Sequence, residues 1–458
     1  MSSSTSPPPG SAASPASSFT VRSPADILSY VPHALGFLPE ESLVILTTNG
    51  RRLGATLRVD LPKGGADPRA FAEGVLSFLE GDTEGDGTLV VLYTSESWSR
   101  LAAPPRKALI LSIETVLGAA GLPVRGGWLV SATAWRDYFC TDAGCCAWPG
   151  EPIDTVVHSP LNAELIYGGS SFDASVAAAV ARAAPGVAGE AGAGQGIIED
   201  KQAMFAASCA GRWATPDQLR ATSACWDAVL TGPGAFDVGA EPELTGFLLA
   251  SIESRTVRDF LLVSACLGSA AALRGAAGCG LLDHFGAGDG RDCGAVGRTG
   301  PGWVLPDVRA LGDLSAAVRH AADQCAGPQQ DTGCAADRQS PRGADAGLVY
   351  ADILAGRHTG LIDWARVDGM SAVLARLTAV ADGESRAAAL TMSAWFEYAR
   401  GRGSRAAVYL DAAERAVPGY RLARLLQELL RRGGLPAWAL SRTTAWRTGT
   451  VVTSHEAA

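Results

Sequence analysis

Residues 43–60 read LVILTTNGRRLGATLRVD, and this stretch decides the fold of the N-terminal part of the chain. Two runs of strand-forming residues, 43–48 and 53–60, flank the dipeptide Asn49-Gly50. Asn-Gly is a strong hairpin signal, because tight two-residue turns need positive φ angles that these residues tolerate. The stretch therefore predicts two antiparallel strands joined by a short turn.

Further helices and strands are predicted on both sides of this hairpin. A helix precedes it, with Ser23 as its cap and Pro24 at its first position. A second helix runs from Asp67 to about residue 80. A fully apolar strand (TLVVLY), a helix and another strand region are then expected at 88–93, 105–120 and 127–138. This order predicts an α/β N-terminal domain with a mixed sheet flanked by helices.

The second half of the chain has an almost wholly helical periodicity, which predicts an all-α C-terminal domain. Thr215-Pro216 and Glu241-Pro242 begin two of its helices, and residues 258–273 form a third. One weak repeat signal resembles a tetratricopeptide unit. Ala406, Leu410, Ala413 and Pro418 fall at the spacing of its second helix, with Gly401 in the turn before it. Since a solenoid needs about three such units, a single antiparallel helix pair is the favoured interpretation.

The 458 residues are enough for two domains, and composition places their boundaries. The Ser/Pro/Ala-rich start predicts disorder, and an Ala/Gly-rich stretch predicts a flexible linker. Two segments rich in Gly or polar residues are expected to be loop insertions in the helical domain. The predicted order is a disordered segment 1–20, an α/β domain 21–185, a linker 186–197, a helical domain 198–448 with insertions at 275–302 and 327–343, and a tail 449–458.

Composition excludes several classes of protein. The net charge of −9 disfavours a nucleic-acid partner, which would select a basic surface. Only three lysines occur, and none follows the glycine that a phosphate-binding P-loop requires. The longest uncharged apolar stretch, 260–273, is shorter than the ~20 residues of a membrane span. Ten cysteines are too few for a disulfide scaffold, and no secretory signal is found, so a cytoplasmic protein is expected.

Several segments together resemble a known family. They are SPADILSYVPHALGFLPEESLVIL at 23–46, RVDLP at 58–62, CTDAGCCAWPG at 140–150, and the C-terminal stretch 392–438. These resemble an actinobacterial family of uncharacterised proteins, the domain of unknown function 4192 (DUF4192). The resemblance covers most of the chain and is least clear at 275–302 and 327–343. It implies an intracellular actinobacterial protein, and it brings no activity, ligand or catalytic residue with it.

The strongest chemical candidate is a group of cysteines, Cys140, Cys145 and Cys146, followed by His158. Three thiolates and an imidazole are a ligand set for tetrahedral zinc, although the spacing differs from a Cys-x2-Cys knuckle. Nearby acids, at positions 142, 151 and 154, could supply the fourth ligand instead. Redox pairing of Cys140 with a neighbouring thiol, or a turn with partly buried structural thiols, are the alternatives.

A second candidate lies at the end of the first helix and on the first strands. His33, Glu40, Arg58 and Asp60 could form a polar ligand-binding patch, together with the neighbouring Glu41 and Ser42, because strand-edge loops often build sites. The alternative is a set of ordinary surface residues. A third group, Asp283, His284, Asp289, Asp292 and Cys293, fits no calcium-loop spacing and is more typical of an insertion.

The sequence contains none of the catalytic motifs sought, neither a Gly-x-Ser-x-Gly elbow nor a His-Glu-x-x-His helix. We therefore expect a non-enzymatic binding or protein-interaction module, with an unknown protein partner or small ligand. The alternative is an enzyme or a metal-binding protein with a site in the α/β domain near the Cys140–Cys146 loop. Zinc is the one cofactor that the residues suggest.

Overall fold

The computed structural model describes residues 18–62, 64–96, 98, 104–142, 144–146, 148–184, 195–234, 236–282, 303–307, 341–432, 434–441, 443–446 and 451–454. The chain separates into two compact units. The α/β unit comprises Met1–Phe172 and Arg447–Ala458, and the helical unit comprises Asp173–Trp446. This architecture confirms the prediction of an α/β fold followed by an all-α fold.

The α/β unit is built on one mixed sheet, whose strand order is β1-β8-β3-β2-β4-β5-β6-β7. Strand β2 pairs antiparallel with β3 and with β4, whereas β4 and β5 are parallel. The strands are β1 Ser18–Val21, β2 Ser42–Asn49, β3 Arg52–Asp60, β4 Gly87–Tyr93, β5 Val124–Val130, β6 Ala134–Asp137, β7 Glu151–Pro152 and β8 Val451–Ser454.

Both faces of this sheet are covered, because alternate residues of its central strands point to opposite sides. Leu43 and Ile45 share one core with helices α2 and α3, and Val44 and Leu46 share another with helix α1. The near-continuous apolar runs of β2 and β4 follow from this double burial. The helices of the unit are α1 Pro24–Leu35, α2 Pro68–Leu79, α3 Lys107–Ala119, α4 Asp154–Val157 and α5 Pro160–Tyr167.

The predicted hairpin and helix cap are confirmed. Strands β2 and β3 are joined at the Asn-Gly position, but Asn49 pairs with Arg52, so the turn is centred one residue later than predicted. Gly50 supplies the positive φ, at 56°. The Ser23 side chain accepts a hydrogen bond from the Asp26 amide, and the Asp26 carboxylate accepts one from the Ser23 amide, which makes a full capping box.

The helical unit packs its helices around one large apolar core. Fully buried aromatic side chains form much of that core, namely Trp226, Phe247, Phe260, Tyr350, Trp395, Phe396 and Trp438. The helices are α6 Val176–Ala183, α7 Gln195–Ser208, α8 Pro216–Thr231, α9 Pro242–Glu253, α10 Arg255–Leu267, α11 Ser269–Gly278, α12 Pro341–Leu354, α13 Trp364–Val380, α14 Gly383–Ala399, α15 Gly403–Ala416 and α16 Arg421–Arg431. Among the described residues, no helix is both long and apolar enough to cross a membrane.

Three details differ from the sequence-based expectations. Ser18–Thr20 were expected to be disordered, but they belong to β1. Phe19 and Val21 of this strand pack in one apolar cluster with Leu165. The single helix expected at 258–273 is two helices, since Gly268 has a φ of 83° that ends α10 and redirects the chain. Helix α6 falls in the helical unit, whereas the predicted α/β domain extended to residue 185.

Some expectations fall outside the described residues. These are the disorder of 1–17, most of the linker at 186–197, most of the insertions at 275–302 and 327–343, and the group at 283–293. Helical residues lie at the described edges of these segments, although residues 279–282 follow the end of a helix and are not helical. Helix α7 begins at Gln195, α11 continues to Gly278, and α12 begins at Pro341.

Candidate functional site: the cysteine loop

The cysteine loop, residues 138–150, connects the short antiparallel strands β6 and β7. Two aspartates fold it by accepting backbone hydrogen bonds, a typical turn-forming role for this residue type. The Asp137 carboxylate accepts from the amides of Phe139 and Cys140 at 2.7 and 2.9 Å, and the Asp142 carboxylate accepts from the Gly144 amide at 2.8 Å. The positions of the thiols are therefore set by local backbone contacts.

Gly150 closes the loop at a position where only glycine fits. Its φ is 139°, and a Cβ atom there would lie 2.4 Å from the carbonyl oxygen of Trp135 on the neighbouring strand. A backbone approach this close requires the absence of a side chain. The WPG segment that carries the family resemblance thus ends at a sterically constrained residue.

The structure brings Cys140, Cys145 and Cys146 together, with their Sγ atoms all within 4.8 Å of one another. All three are free thiols, of which Cys145 is exposed and the other two are partly buried. Thiolates around a tetrahedral zinc, with Zn–S bonds near 2.3 Å, lie about 3.8 Å apart. A shift of about 1 Å would therefore convert this group into three ligands of one ion, and the cluster could hold a metal.

The protonation of Cys146 disfavours this thiol as a redox nucleophile. Burial raises the pKa of the Cys146 thiol to about 12, with further contributions from hydrogen bonds and repulsion of the Cys140 and Cys145 thiols. Reactive redox cysteines instead have a lowered pKa, because the thiolate is the nucleophile. A divalent cation would reverse this preference by binding the thiolates directly.

Arg136 lies directly beside this loop, on β6, and is buried to 5% exposure. Its guanidinium carbon lies 4.2 Å from the ring centre of Trp148 and 4.8 Å from that of Trp98. One terminal nitrogen donates to the Cys140 carbonyl oxygen at 3.3 Å. Among the described residues, its Nε and Nη1 atoms have no hydrogen-bond partner and no carboxylate forms an ion pair with it.

A buried guanidinium without an anion is energetically costly, since desolvation is not compensated by a counter-charge. Three thiolates around a divalent cation carry a net charge of −1. Such a centre would place an anionic group beside Arg136, whose contact with the Cys140 carbonyl already joins it to the loop. The residues present therefore fit a metal-thiolate centre in both geometry and charge.

The fourth predicted ligand, His158, lies outside this group. It is exposed at the end of α4, and its Nδ1 lies 2.8 Å from the Asp154 carbonyl oxygen of the same helix. The acids considered as alternatives, Asp142, Glu151 and Asp154, are also exposed and lie outside the group. The structure thus assembles three potential ligands from the described part of the chain.

The second predicted patch is only partly assembled. Arg58 forms an ion pair with Asp60 at 2.6 Å and donates to the Glu40 carbonyl oxygen at 3.3 Å. His33 is held elsewhere, with Nδ1 at 2.9 Å from the Ser170 hydroxyl and Nε2 at 2.9 Å from the Asn162 amide oxygen. Since both of its ring nitrogens are engaged, His33 acts in this arrangement as a link between helices.

Glu41, Thr94 and Ser95 form a group that we call the polar corner. Glu41 was predicted from the sequence to lie in the second patch, but Thr94 and Ser95 were not identified as its partners. The Glu41 carboxylate accepts from the Ser95 amide and hydroxyl, both at 2.6 Å, and from the Thr94 hydroxyl at 3.2 Å. These bonds, with the Ser95 hydroxyl contributing most, lower the pKa of Glu41. A carboxylate stabilised in its ionised form is a poor general base near neutral pH.

Arg136 and its two tryptophans are the site residues that sequence reasoning missed. Trp98 follows a different strand, and nothing in the local sequence links it to the cysteine loop. For Trp148, the sequence does contain a signal, because this residue lies two positions after the last cysteine in the segment CTDAGCCAWPG.

Comparison with known proteins gives one match. A family model described as Domain of unknown function (DUF4192) matches residues 24–275 and 307–437, which span both units and pass over residues 276–306. No curated protein and no solved structure matches the chain. The unmatched segment includes the Gly-rich stretch that fits the resemblance least, whereas the polar stretch 327–343 lies inside the match. Because the matched residues make up most of its length, the chain belongs to the DUF4192 family.

Proposed function

We propose that this protein is a non-enzymatic binding protein that holds a zinc ion in its cysteine loop. The observation that carries the proposal is the grouping of three free thiols beside a buried guanidinium without a carboxylate partner among the described residues. Soft thiolate ligands select zinc, copper(I) or iron, and a tetrahedral set of thiolates is typical of zinc. Zinc would contribute binding energy to the folding of the loop.

Three protein ligands leave the fourth coordination position of the ion free for another donor. Cys145 is exposed, so the centre would be reachable from solvent. Water, or a side chain or small ligand supplied by a partner, would complete the tetrahedron. Through this open position, the zinc ion would bind a partner or a small ligand as well as stabilise the loop.

The alternative function, an enzyme in the α/β unit, has less support. Glu41, the carboxylate of the polar corner, has a lowered pKa and accepts hydrogen bonds from Ser95 and Thr94. Such a group orders the ends of β2 and β4 more readily than it moves a proton. A cytoplasmic location agrees with the proposal, because a reducing compartment keeps thiols available for metal.

Elemental analysis of protein purified without chelators tests the proposal. We expect about one zinc per chain. A Cys140→Ser/Cys145→Ser variant should lose it, while the control Cys279→Ser, at an exposed thiol of the helical unit, should keep it. Wild-type protein without metal, or equal zinc in all three proteins, would overturn the proposal.

Cobalt(II) substitution then tests the open fourth position. Cobalt bound by thiolates in a tetrahedral site has visible absorption that reports its ligands. We expect added imidazole to change this spectrum, because it can occupy a position held by water. An unchanged spectrum at saturating imidazole would show that the protein itself supplies a fourth ligand.

A further inference from the structure

A cavity of about 250 Å³, lined in part by charged side chains, lies in the helical unit, far along the chain from the cysteine loop. Helices α13, α14 and α15 supply most of its walls, and Trp446 supplies another. We call it the arginine pocket, and its defining residues are Asp368, Glu397, Arg400, Arg402, Arg405 and Trp446. Nothing in the proposed zinc function uses it.

The turn between α14 and α15 brings its three arginines together. Helix α14 ends at Ala399, and α15 begins at Gly403. Gly401, with a φ of 76°, lets the chain reverse between them. The sequence Ala-Arg-Gly-Arg-Gly-Ser-Arg at 399–405 therefore places three guanidinium groups around one tight turn.

The three arginines differ in how well they are paired. Arg400 is well paired, since it donates to Asp368 at 2.6 Å, to Ser371 at 2.9 Å and to Glu397 at 3.0 Å. Its side chain is only 5% exposed. Arg400 is thus a fixed part of the wall that neutralises both carboxylates of the pocket.

Arg402 and Arg405 have fewer hydrogen bonds and less counter-charge than Arg400. The nearest carboxylate oxygen to Arg402 is Glu397 Oε2, at 3.8 Å, a distance beyond a hydrogen bond. Within the described part of the chain, neither that oxygen nor Arg405 Nε has a hydrogen-bond partner. Burial lowers the pKa of Arg402 to about 10, which is the expected response of a cation with too little counter-charge.

Trp446 covers the guanidinium group of Arg402. The guanidinium carbon lies 4.1 Å from the centre of the Trp446 ring. Stacking of this kind preorganises the planar fork of an arginine, so that less conformational entropy is lost when the fork receives a ligand. A preorganised cation with free donors is a binding element.

We infer that the arginine pocket binds the phosphate group of a small molecule. Three guanidinium groups face two carboxylates, so the pocket carries an excess of positive charge. Arginine forks match phosphate geometry with paired, charge-assisted hydrogen bonds, which Arg402 and Arg405 have available. The volume of about 250 Å³ leaves room for a phosphate with a few further atoms.

The other residues that line the pocket indicate which chemical group the phosphate is attached to. Ala372 and Ala375 of α13 and the ring of Tyr409 line the pocket beside the arginines. Small apolar groups and an aromatic ring would contact a short carbon skeleton. A small phosphate monoester is therefore the ligand class.

Isothermal titration calorimetry of the full-length protein with inorganic phosphate tests this inference, with chloride at matched ionic strength as the reference. We expect saturable binding to the wild type. Arg402→Gln should weaken it by about tenfold or more, because one charged hydrogen-bond donor is lost. The control Arg415→Gln, at an exposed position of α15, should bind like the wild type.

Two further arms make the result decisive. Arg402→Lys keeps the charge but loses the fork, so it should bind phosphate more weakly than the wild type even if Arg402→Gln fails to fold. Acetate should bind more weakly than phosphate. No phosphate binding above the chloride reference, equal binding by both Arg402 variants and the wild type, or acetate binding as tight as phosphate would each overturn the assignment.

Discussion

The guanidinium carbon of Arg136 lies 4.2 Å from the ring centre of Trp148, which stands two residues beyond the last cysteine of the loop. Trp98 covers the same guanidinium at 4.8 Å, and a terminal nitrogen of Arg136 donates to the Cys140 carbonyl oxygen in the loop. The aromatic rings partly compensate the charge, as cation–π contacts do. An anionic metal centre would compensate it further.

Arg136→Met should separate zinc affinity from stability. The metal-free variant should unfold within about 1 kcal/mol of the wild type, because replacing a poorly paired buried ion by an apolar side chain is often neutral. Zinc affinity should fall about tenfold, as it does when an outer-shell partner of a metal site is lost. Competition with a chromophoric chelator measures the affinity, and chemical denaturation measures the stability.

Arg69→Met is the matched control for that variant, since Arg69 is a highly exposed arginine of α2 in the same unit. It should change neither quantity. If Arg136→Met left zinc affinity at the wild-type value, the guanidinium would not stabilise the centre, and its burial would need another explanation.

The capping box of α1 should contribute measurably to the stability of the α/β unit. Ser23→Ala removes one cap and should lower the free energy of unfolding by about 1 kcal/mol. Asp26→Ala should cost more, about 3 kcal/mol, because the buried Asp26 carboxylate accepts from the amides of Arg22, Ser23 and Leu161, and these donors would be left without it. Urea unfolding followed by circular dichroism gives both values.

The cap of α2 provides a comparison. Among the described residues, the Asp67 carboxylate accepts one hydrogen bond, from the exposed Arg69 amide, so Asp67→Ala should cost less than either α1 variant. A larger loss for Asp67→Ala than for Asp26→Ala would show that burial does not set the value of these caps.

Much of the fold was predictable because the signals were local. The hairpin, the buried strand β4 and the capped helix α1 each depend on residues close together in the sequence, and all three are confirmed. The turn of the hairpin is displaced by one residue, because the Asp86 carboxylate accepts from the Gly50 amide and contributes to holding the chain there. Such a contact between distant residues is invisible to turn propensity.

The site was predictable only in part, for the same reason. The three cysteines lie in one short segment, so their grouping follows from sequence. His158 was proposed from spacing alone, but α4 engages its Nδ1 with the Asp154 carbonyl and it stays exposed. Arg136 and Trp98 come together only through the packing of separate elements, and so do Asp368 and Trp446 with the arginine pocket. The three arginines of that pocket, in contrast, lie close together in the sequence.

Glu41 should make the stability of the α/β unit depend on pH. Its pKa in the folded protein is lowered, chiefly by the Ser95 hydroxyl and amide, below the ordinary 4.5 of glutamate. A lowered folded-state pKa stabilises the protein above the unfolded value, and this contribution is lost as the pH falls from 4.5 through the folded pKa. The Glu41→Gln variant should therefore lose less stability than the wild type over that window.

Thermal unfolding at a series of pH values from neutral to acidic measures this difference. Glu73→Gln is the control, since Glu73 is an exposed residue of α2 paired only with Arg69 among the described residues. If the stabilities of Glu41→Gln and the wild type changed in parallel with pH below neutrality, ionisation of Glu41 would not contribute to the stability of the folded protein.

Two glycines of the helical unit should distinguish backbone strain from steric contact. Gly356 and Gly383 both have positive φ, at 73° and 51°, so alanine at either position should cost about 1 kcal/mol in strain. Nothing lies within 4 Å of a Cβ at Gly383, whereas one at Gly356 would lie 2.6 Å from the hydroxyl of the buried Tyr398. Gly356→Ala should therefore lose about 2 kcal/mol more, because Tyr398 must move in a packed core. The difference between their denaturation midpoints, multiplied by the m-value, gives the cost of that contact, and equal midpoints would mean that Tyr398 moves freely.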